Sequence, residues 1–206
     1  MIPDELLATA PSSAPAFVPS PTGERFMAAV ANGPPTEMRV LLLEGPRGEG
    51  KTTDAIYAVL ELSDRLRREG REIFLPVKVA VVRDTWVSLE RTTLRSFEEQ
   101  RVRGLPVVFT NGRREAKIEF DVPLVEFFFF GLDRPEDADK FQGFSCGVLW
   151  IEEPAPAAGL TAGVPIESIA IGATSVRQPG VPPRILLTMN PPDSDSWTIK
   201  VEERLR

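Results

Sequence analysis

Apolar residues along the chain alternate between two rhythms. Short apolar runs bounded by turn formers fall at residues 38–44 (MRVLLLE), 73–83, 125–130, 146–151 and 184–189, the length and flanking of buried strands. The run at 73–83 is β-branched and is interrupted early by Pro76, and 125–130 holds four consecutive phenylalanines. Between these runs lie stretches of helical period. Residues 50–69 place Ala55, Ile56, Val59, Leu62 and Leu66 on one face, gather Arg65, Arg67, Arg68 and Glu69 near the end, and stop at Gly70. Residues 88–103 form an amphipathic pattern with charges outward, 165–176 is helical, and a short helix spans about 23–31 before Asn32-Gly33-Pro34-Pro35. Residues 107–110 and 116–121 flank Asn111-Gly112, a hairpin signal. Strands alternating with helices predict an α/β domain over 25–200: a mainly parallel sheet flanked by helices, right-handed crossovers and a β-hairpin insertion. Residues 1–24, with Pro3, Pro11, Pro15, Pro19 and Pro21, read as an extended arm. No internal repeat is evident.

Composition narrows the chemistry. A chain of 206 residues suits one domain, and no apolar run approaches the ~18 residues that span a bilayer. The first residues lack a basic start followed by an apolar core, so no secretory signal is expected. Cys146 is the single cysteine, which excludes an internal disulfide framework and a cysteine-cluster zinc site. Histidine is absent, which excludes Ser-His-Asp and Cys-His catalysis and histidine-ligated metals. Any metal is then a hard ion held by oxygens, magnesium before zinc. The net charge of −6 argues against a broad basic face for nucleic acid and leaves room for a narrow basic strip.

The segment Gly45-Pro46-Arg47-Gly48-Glu49-Gly50-Lys51-Thr52 fits G-x-x-x-x-G-K-[ST] in full, with a predicted strand before it and a helix after it. Glycines let backbone N–H groups turn inward around phosphate oxygens, and the helix aims its positive end at the same anion. Lys51 is placed to reach the β- and γ-phosphates of ATP, the Thr52 hydroxyl to ligate magnesium, and Thr53 to continue the phosphate-binding turn. Glu49 is an acid in an anion loop and is expected to point to solvent.

A second pattern, VLWIEE at 148–153, is an apolar strand ending in two acids. In P-loop ATPases the strand beside the loop ends with an acid that holds magnesium, and a following glutamate polarises the attacking water. Glu152 takes the first role and Glu153 the second. A catalytic glutamate on a separate strand marks the additional-strand class of ATPases, RecA-like motors among them. The absence of N-K-x-D disfavours a GTPase. The run LLTMNPP at 186–192 ends a strand in Thr188 and Asn190, and Asn190 is the candidate γ-phosphate sensor. Trp86, Trp150 and the phenylalanines of 127–130 read as core before base-stacking platforms. Arg113, Arg114 and Lys117 form the best small basic cluster: a solvated hairpin tip, or a DNA-facing loop.

In combination these pieces resemble the large terminase subunit of tailed bacteriophages, over about residues 41–200. GPRGEGKT resembles the family's Walker A segment, including Arg47 four residues before the lysine. VVRDTWVSLERTTLRSFEE resembles the strand and helix that follow. FFGLDRPEDADKFQGFSCGVLWIEEP resembles the acidic stretch and Walker B strand with a double glutamate. TSVRQPG and TMNPP, with Trp197 beyond, resemble the closing segment. The resemblance implies a RecA-like P-loop ATPase domain using ATP and magnesium, with Glu153, Lys51 and Arg47 catalytic. It implies a homo-oligomeric ring acting on double-stranded DNA with the phage portal and small terminase subunit as partners, in the host cytoplasm and docked on the procapsid. It also implies that 201–206 begins a linker to a nuclease domain absent from this chain. Asp133, Glu136, Asp137 and Asp139 are the densest acidic cluster and read as a solvated segment, so no DNA cutting is expected. Where some members carry an arginine that acts on a neighbour's ATP, this chain has Gln142. That role passes to Lys140, Arg134 or Arg177, or is absent. The adenine-contacting region falls at 21–26, without a glutamine. Another nucleic-acid motor, a nucleotide kinase and a non-hydrolysing scaffold stay open as alternatives.

Overall fold

The computed structural model describes residues 17–141, 143–155, 163–192 and 197–205. The predicted arm lies outside this description as far as residue 16, and so does Gln142. Helix α1, Pro21–Ala31, begins earlier than the sequence suggests. The Ser20 hydroxyl accepts the Gly23 N–H at 3.0 Å and Pro21 occupies the first helical position, so residues 21–24 belong to the helix and not to the arm.

Strand β1, Arg39–Glu44, leads through the glycine-rich turn into helix α2, Lys51–Arg68. Strand β2, Val77–Arg83, starts directly after Pro76; the residues before it form a 3₁₀ turn, Glu72–Phe74, because the proline interrupts the run. Helix α3 is continuous through three pieces: Trp86–Leu89, a π turn over Glu90–Leu94, and Arg95–Val102. It starts before the expected residue 88 because the Thr85 hydroxyl caps it, accepting the Ser88 N–H at 3.1 Å.

Strands β3, Val107–Thr110, and β4, Glu115–Glu119, form the expected hairpin. Its turn holds four residues, because Thr110 pairs with Glu115, and Asn111, Gly112 and Arg113 all have positive φ. Then follow β5, Pro123–Gly131; β6, Val148–Glu152; α4, Ile166–Ala173; β7, Arg184–Met189; and α5, Trp197–Leu205. Helix α5 was not foreseen and runs through part of the expected linker.

The strands form one seven-stranded sheet in the order β1-β7-β6-β2-β5-β4-β3. It is parallel from β1 to β5, and β4 and β3 are antiparallel. The acid-tipped strand β6, expected beside the strand that leads into the loop, is therefore not a direct neighbour of β1. Strand β7 stands between them.

Period-two alternation splits the core between the two sheet faces. Val77, Val79, Val81, Phe127, Phe129 and Trp150 join the core under α1, α2 and α3. Ala80, Val82, Leu149 and Ile151 join a second core with Phe141 and Val164. The four phenylalanines divide in the same way. Phe127 and Phe129 pack edge-on against Phe97 of α3, with ring centroids at 4.8 and 5.2 Å. Phe128 and Phe130 meet Phe144 on the other face, at 5.0 and 5.4 Å. Phe97 is fully buried, and its truncation to alanine is worth about 3–5 kcal/mol. That contact fixes α3 over the carboxyl ends of β2 and β6.

Candidate active site

The parallel register brings the predicted residues together at one end of the sheet. Glu44 pairs with Met189 and Glu152 with Thr188, so the turn after β1, the end of β6 and the end of β7 open on the same side. Gly48 and Gly50 have φ of +84° and +79°. An L side chain rarely adopts such a backbone, so glycine there lets the loop wrap back before α2 begins.

Lys51 Nζ lies under that loop. It donates to the carbonyls of Gly45 and Pro46, each at 2.7 Å, and to Asn190 Oδ1 at 3.1 Å. These contacts use all the donors of an ammonium. Asn190 Nδ2 in turn donates to Glu153 Oε1 at 2.9 Å and Oε2 at 3.1 Å, and the Asn190 N–H lies 3.3 Å from Oε2. Glu153 itself sits at φ +50°, a costly region for a side-chain-bearing residue, held by its N–H to Thr188 O at 2.8 Å. Burial pushes the Lys51 pKa down, while the carboxylates of Glu153, Glu49 and Glu152 oppose that shift. Glu49 is exposed, as expected, yet its carboxylate folds back over the loop. A Cβ on Gly45 would lie 2.7 Å from Glu49 Oε2.

Glu152 is 3% exposed. One of its oxygens takes the Thr52 hydroxyl; the other takes the Thr93 hydroxyl and Arg83 Nη1, the last at 3.2 Å. Burial pushes the Glu152 pKa up, and Arg83 and the Thr52 hydroxyl pull it down. Arg83 was not anticipated from sequence, although register accounts for it. Val82 pairs with Ile151, so the next residues, Arg83 and Glu152, leave their strands side by side. Arg83 Nη1 also donates to Thr92 Oγ1 at 2.6 Å. The usable signal was a charge closing the apolar run VKVAVV, the same pattern that marked Glu152.

A cleft of about 460 Å³ opens between the loop and α3, lined among others by Arg47, Lys51, Thr52, Thr53, Glu152, Glu153 and Asn190. Its far wall is Arg83, Thr92, Ser96 and Glu99, none of which the sequence reading singled out. Thr53 is tied to that wall through Gln100, whose Nε2 lies 3.5 Å from Thr53 Oγ1. Lys140, Arg134 and Arg177 do not line this cleft. Lys140 pairs with Asp137 at 2.8 Å, the Arg134 N–H bonds Asp137 at 2.9 Å, and Arg177 reaches Phe144 O at 3.4 Å. The hairpin cations are also engaged: Arg113 with Glu98 at 2.7 Å, Lys117 with Glu126 at 2.8 Å, and Arg114 over the Trp86 ring at 4.6 Å. Trp150 is core, as expected, with Nε1 donating to Thr188 Oγ1 at 2.8 Å.

The donor set fits magnesium. Thr52 and Glu152 supply adjacent oxygens at the cleft floor, and the buried carboxylate gains from a cation. Among the described residues no group of three or more acids or cysteines could cage an ion by itself. Two protein oxygens suit an ion that arrives with phosphate oxygens and water.

The chain shares its fold with the large terminase of a thermophilic bacteriophage. In one crystal form of that protein the match has a TM-score of 0.59 at 16% identity, covering 90% of this chain and 42% of the terminase. The same terminase in complex with ADP matches with a TM-score of 0.52 at 15% identity, and in complex with ATP-gamma-S with 0.53 at 15%, each covering 84% of this chain and 38% of that one. The chain thus spans about two fifths of the length of the terminase it matches. By sequence, no family profile and no curated protein matches it. Among the described residues no helix is long and apolar enough to cross a membrane.

Proposed function

We propose that this chain is the ATP-hydrolysing motor domain of a viral DNA-packaging terminase, a RecA-like P-loop ATPase of the additional-strand class. The observation that supports it most is the continuous chain Lys51–Asn190–Glu153 beside the buried Thr52–Glu152 pair. The fold shared with a terminase that binds ADP and ATP-gamma-S supports the same reading. Strand β7, standing between β1 and β6, suits the additional-strand class.

In this reading the N–H groups of the loop and of the first turn of α2 hold the β- and γ-phosphates. Lys51 exchanges its carbonyl partners for phosphate oxygens, and Arg47, on the exposed rim, adds charge to the γ-phosphate. Thr52 and Glu152 hold magnesium, which when bound draws charge from the phosphate oxygens. Glu153 accepts a proton from the attacking water, whose oxygen bonds to the γ-phosphorus as ADP leaves. Asn190 holds the Glu153 carboxylate and senses whether the γ-phosphate is present, because Lys51 and Glu153 are its two partners.

Double-stranded DNA is the substrate moved, by a ring of such chains working with a portal and a small terminase subunit in the host cytoplasm. Lys140, Arg134 and Arg177, away from their own cleft, are candidates to reach a neighbour's. Cutting of DNA is left to another domain. The test is magnesium-dependent ATP hydrolysis with and without duplex DNA. Hydrolysis that rises with duplex supports the reading. Hydrolysis raised only by single strands, with strand separation, points to a helicase-like motor, and transfer of phosphate to a nucleoside monophosphate points to a kinase.

A further inference from the structure

The π turn of α3 places two consecutive threonines on one ion pair. In a regular α-helix, at 3.6 residues per turn, neighbouring side chains point about 100° apart and do not share a target. Here Thr92 Oγ1 accepts from Arg83 Nη1 at 2.6 Å, and the Thr93 hydroxyl bonds Glu152, which Arg83 also contacts at 3.2 Å. Thr92 also donates back to Ser88 O at 2.8 Å, the ordinary fate of a helical threonine hydroxyl. Thr93, fully buried, is directed instead at the carboxylate. Single π turns inside α-helices are frequent at functional sites.

We propose that Thr93 and Arg83 are positioning residues for Glu152: together they hold one carboxylate oxygen so that the other stays on Thr52, and this orientation sets the site's affinity for magnesium. The proposal rests on reading the cleft as a magnesium–nucleotide site. The geometry suits that role better than a purely structural one. Arg83 alone would neutralise the buried carboxylate but, reaching it from β2, would leave it free to rotate toward the guanidinium. Thr93 approaches from α3 on the same oxygen, and Thr52 from α2 on the other, so three elements fix the carboxylate plane. Groups that orient a metal-binding residue are typically worth ~10–100-fold in metal affinity.

The test is a magnesium titration of the binding of a fluorescent ATP analogue to the full chain, with EDTA as the zero point. Thr93→Val keeps the shape and removes the hydroxyl. It should bind the analogue in EDTA as the parent does, and should need at least ~10-fold more magnesium for the same tightening. Thr93→Ser, which restores the hydroxyl, should return the curve to the parent's. Circular dichroism checks the fold; if Thr93→Val unfolds, Thr93→Cys, similar in size with a weak donor, replaces it with the same expectation. A valine or cysteine variant that follows the parent's magnesium curve overturns the proposal. A parent that binds no nucleotide overturns the reading beneath it, and the proposal with it.

Discussion

Asn190 Oδ1 accepts a hydrogen bond from Lys51 Nζ at 3.1 Å, which makes the residue just after β7 the link between the glycine-rich loop and Glu153, the acid that follows β6. The amide serves both sides with opposite ends, its oxygen to the ammonium and its nitrogen to the Glu153 carboxylate. Asn190→Ala should therefore slow hydrolysis by on the order of 10²-fold, the low end of what a positioned general base supplies, while weakening ATP binding far less. Steady-state kinetics beside equilibrium binding separates the two. Equal losses in both would make Asn190 a binding residue only.

Lys51→Ala removes the cation under the loop and should both abolish turnover and weaken ATP binding, since a charge-assisted contact to phosphate is lost. Titration of a fluorescent nucleotide reads the binding. A variant that hydrolyses ATP at the parent's rate would exclude the loop as the phosphate site.

Arg47 lies on the rim of its own cleft and Lys140, Arg134 and Arg177 lie away from it, so a second chain is expected to complete the site. The rate per subunit should rise with protein concentration. A flat rate across a hundredfold dilution, roughly the range over which a weak assembly dissociates, would mean that no cation from a neighbour joins Arg47 and that the site is complete within one chain.

Asp54, in the first turn of α2, is 4% exposed against Gly23 of α1, and burial raises its pKa from 3.8 to about 6. A carboxyl with a raised folded pKa binds its proton more tightly when folded. Its charge therefore costs stability progressively as pH rises from about 3.8 to about 6, and the cost is constant above that. Asp54→Asn, neutral at every pH, should melt above the parent at pH 7.5, and the gap should shrink on acidification through that window. Melting curves at several pH values check it. A gap independent of pH would mean that the charge is not what burial penalises.

Local pattern made much of this legible. Strand β7 falls at the predicted residues, since an apolar run closed by prolines leaves little freedom in its bounds. The loop, Glu152, Glu153 and Asn190 were each readable, because each follows an apolar strand. Arg83 and Thr93 were not. The role proposed for them depends on β2 lying beside β6 and on α3 crossing above both, relations between segments dozens of residues apart. The π turn was hidden too: the 3.6-residue pattern over 88–103 persists on both sides of it, and the extra residue shifts which face carries Thr93. The place of β7 between β1 and β6 escaped for the same reason, because strand order is not written in any single run.

The central claim, that Glu153 activates water for a nucleotide held at Lys51, is tested most directly by Glu153→Gln. The amide keeps the size and cannot take the proton. ATP binding should stay near the parent's while single-turnover hydrolysis falls by at least ~10²-fold, and Glu152→Gln should instead raise the magnesium requirement. Hydrolysis at the parent's rate by Glu153→Gln, with nucleotide bound, would contradict it.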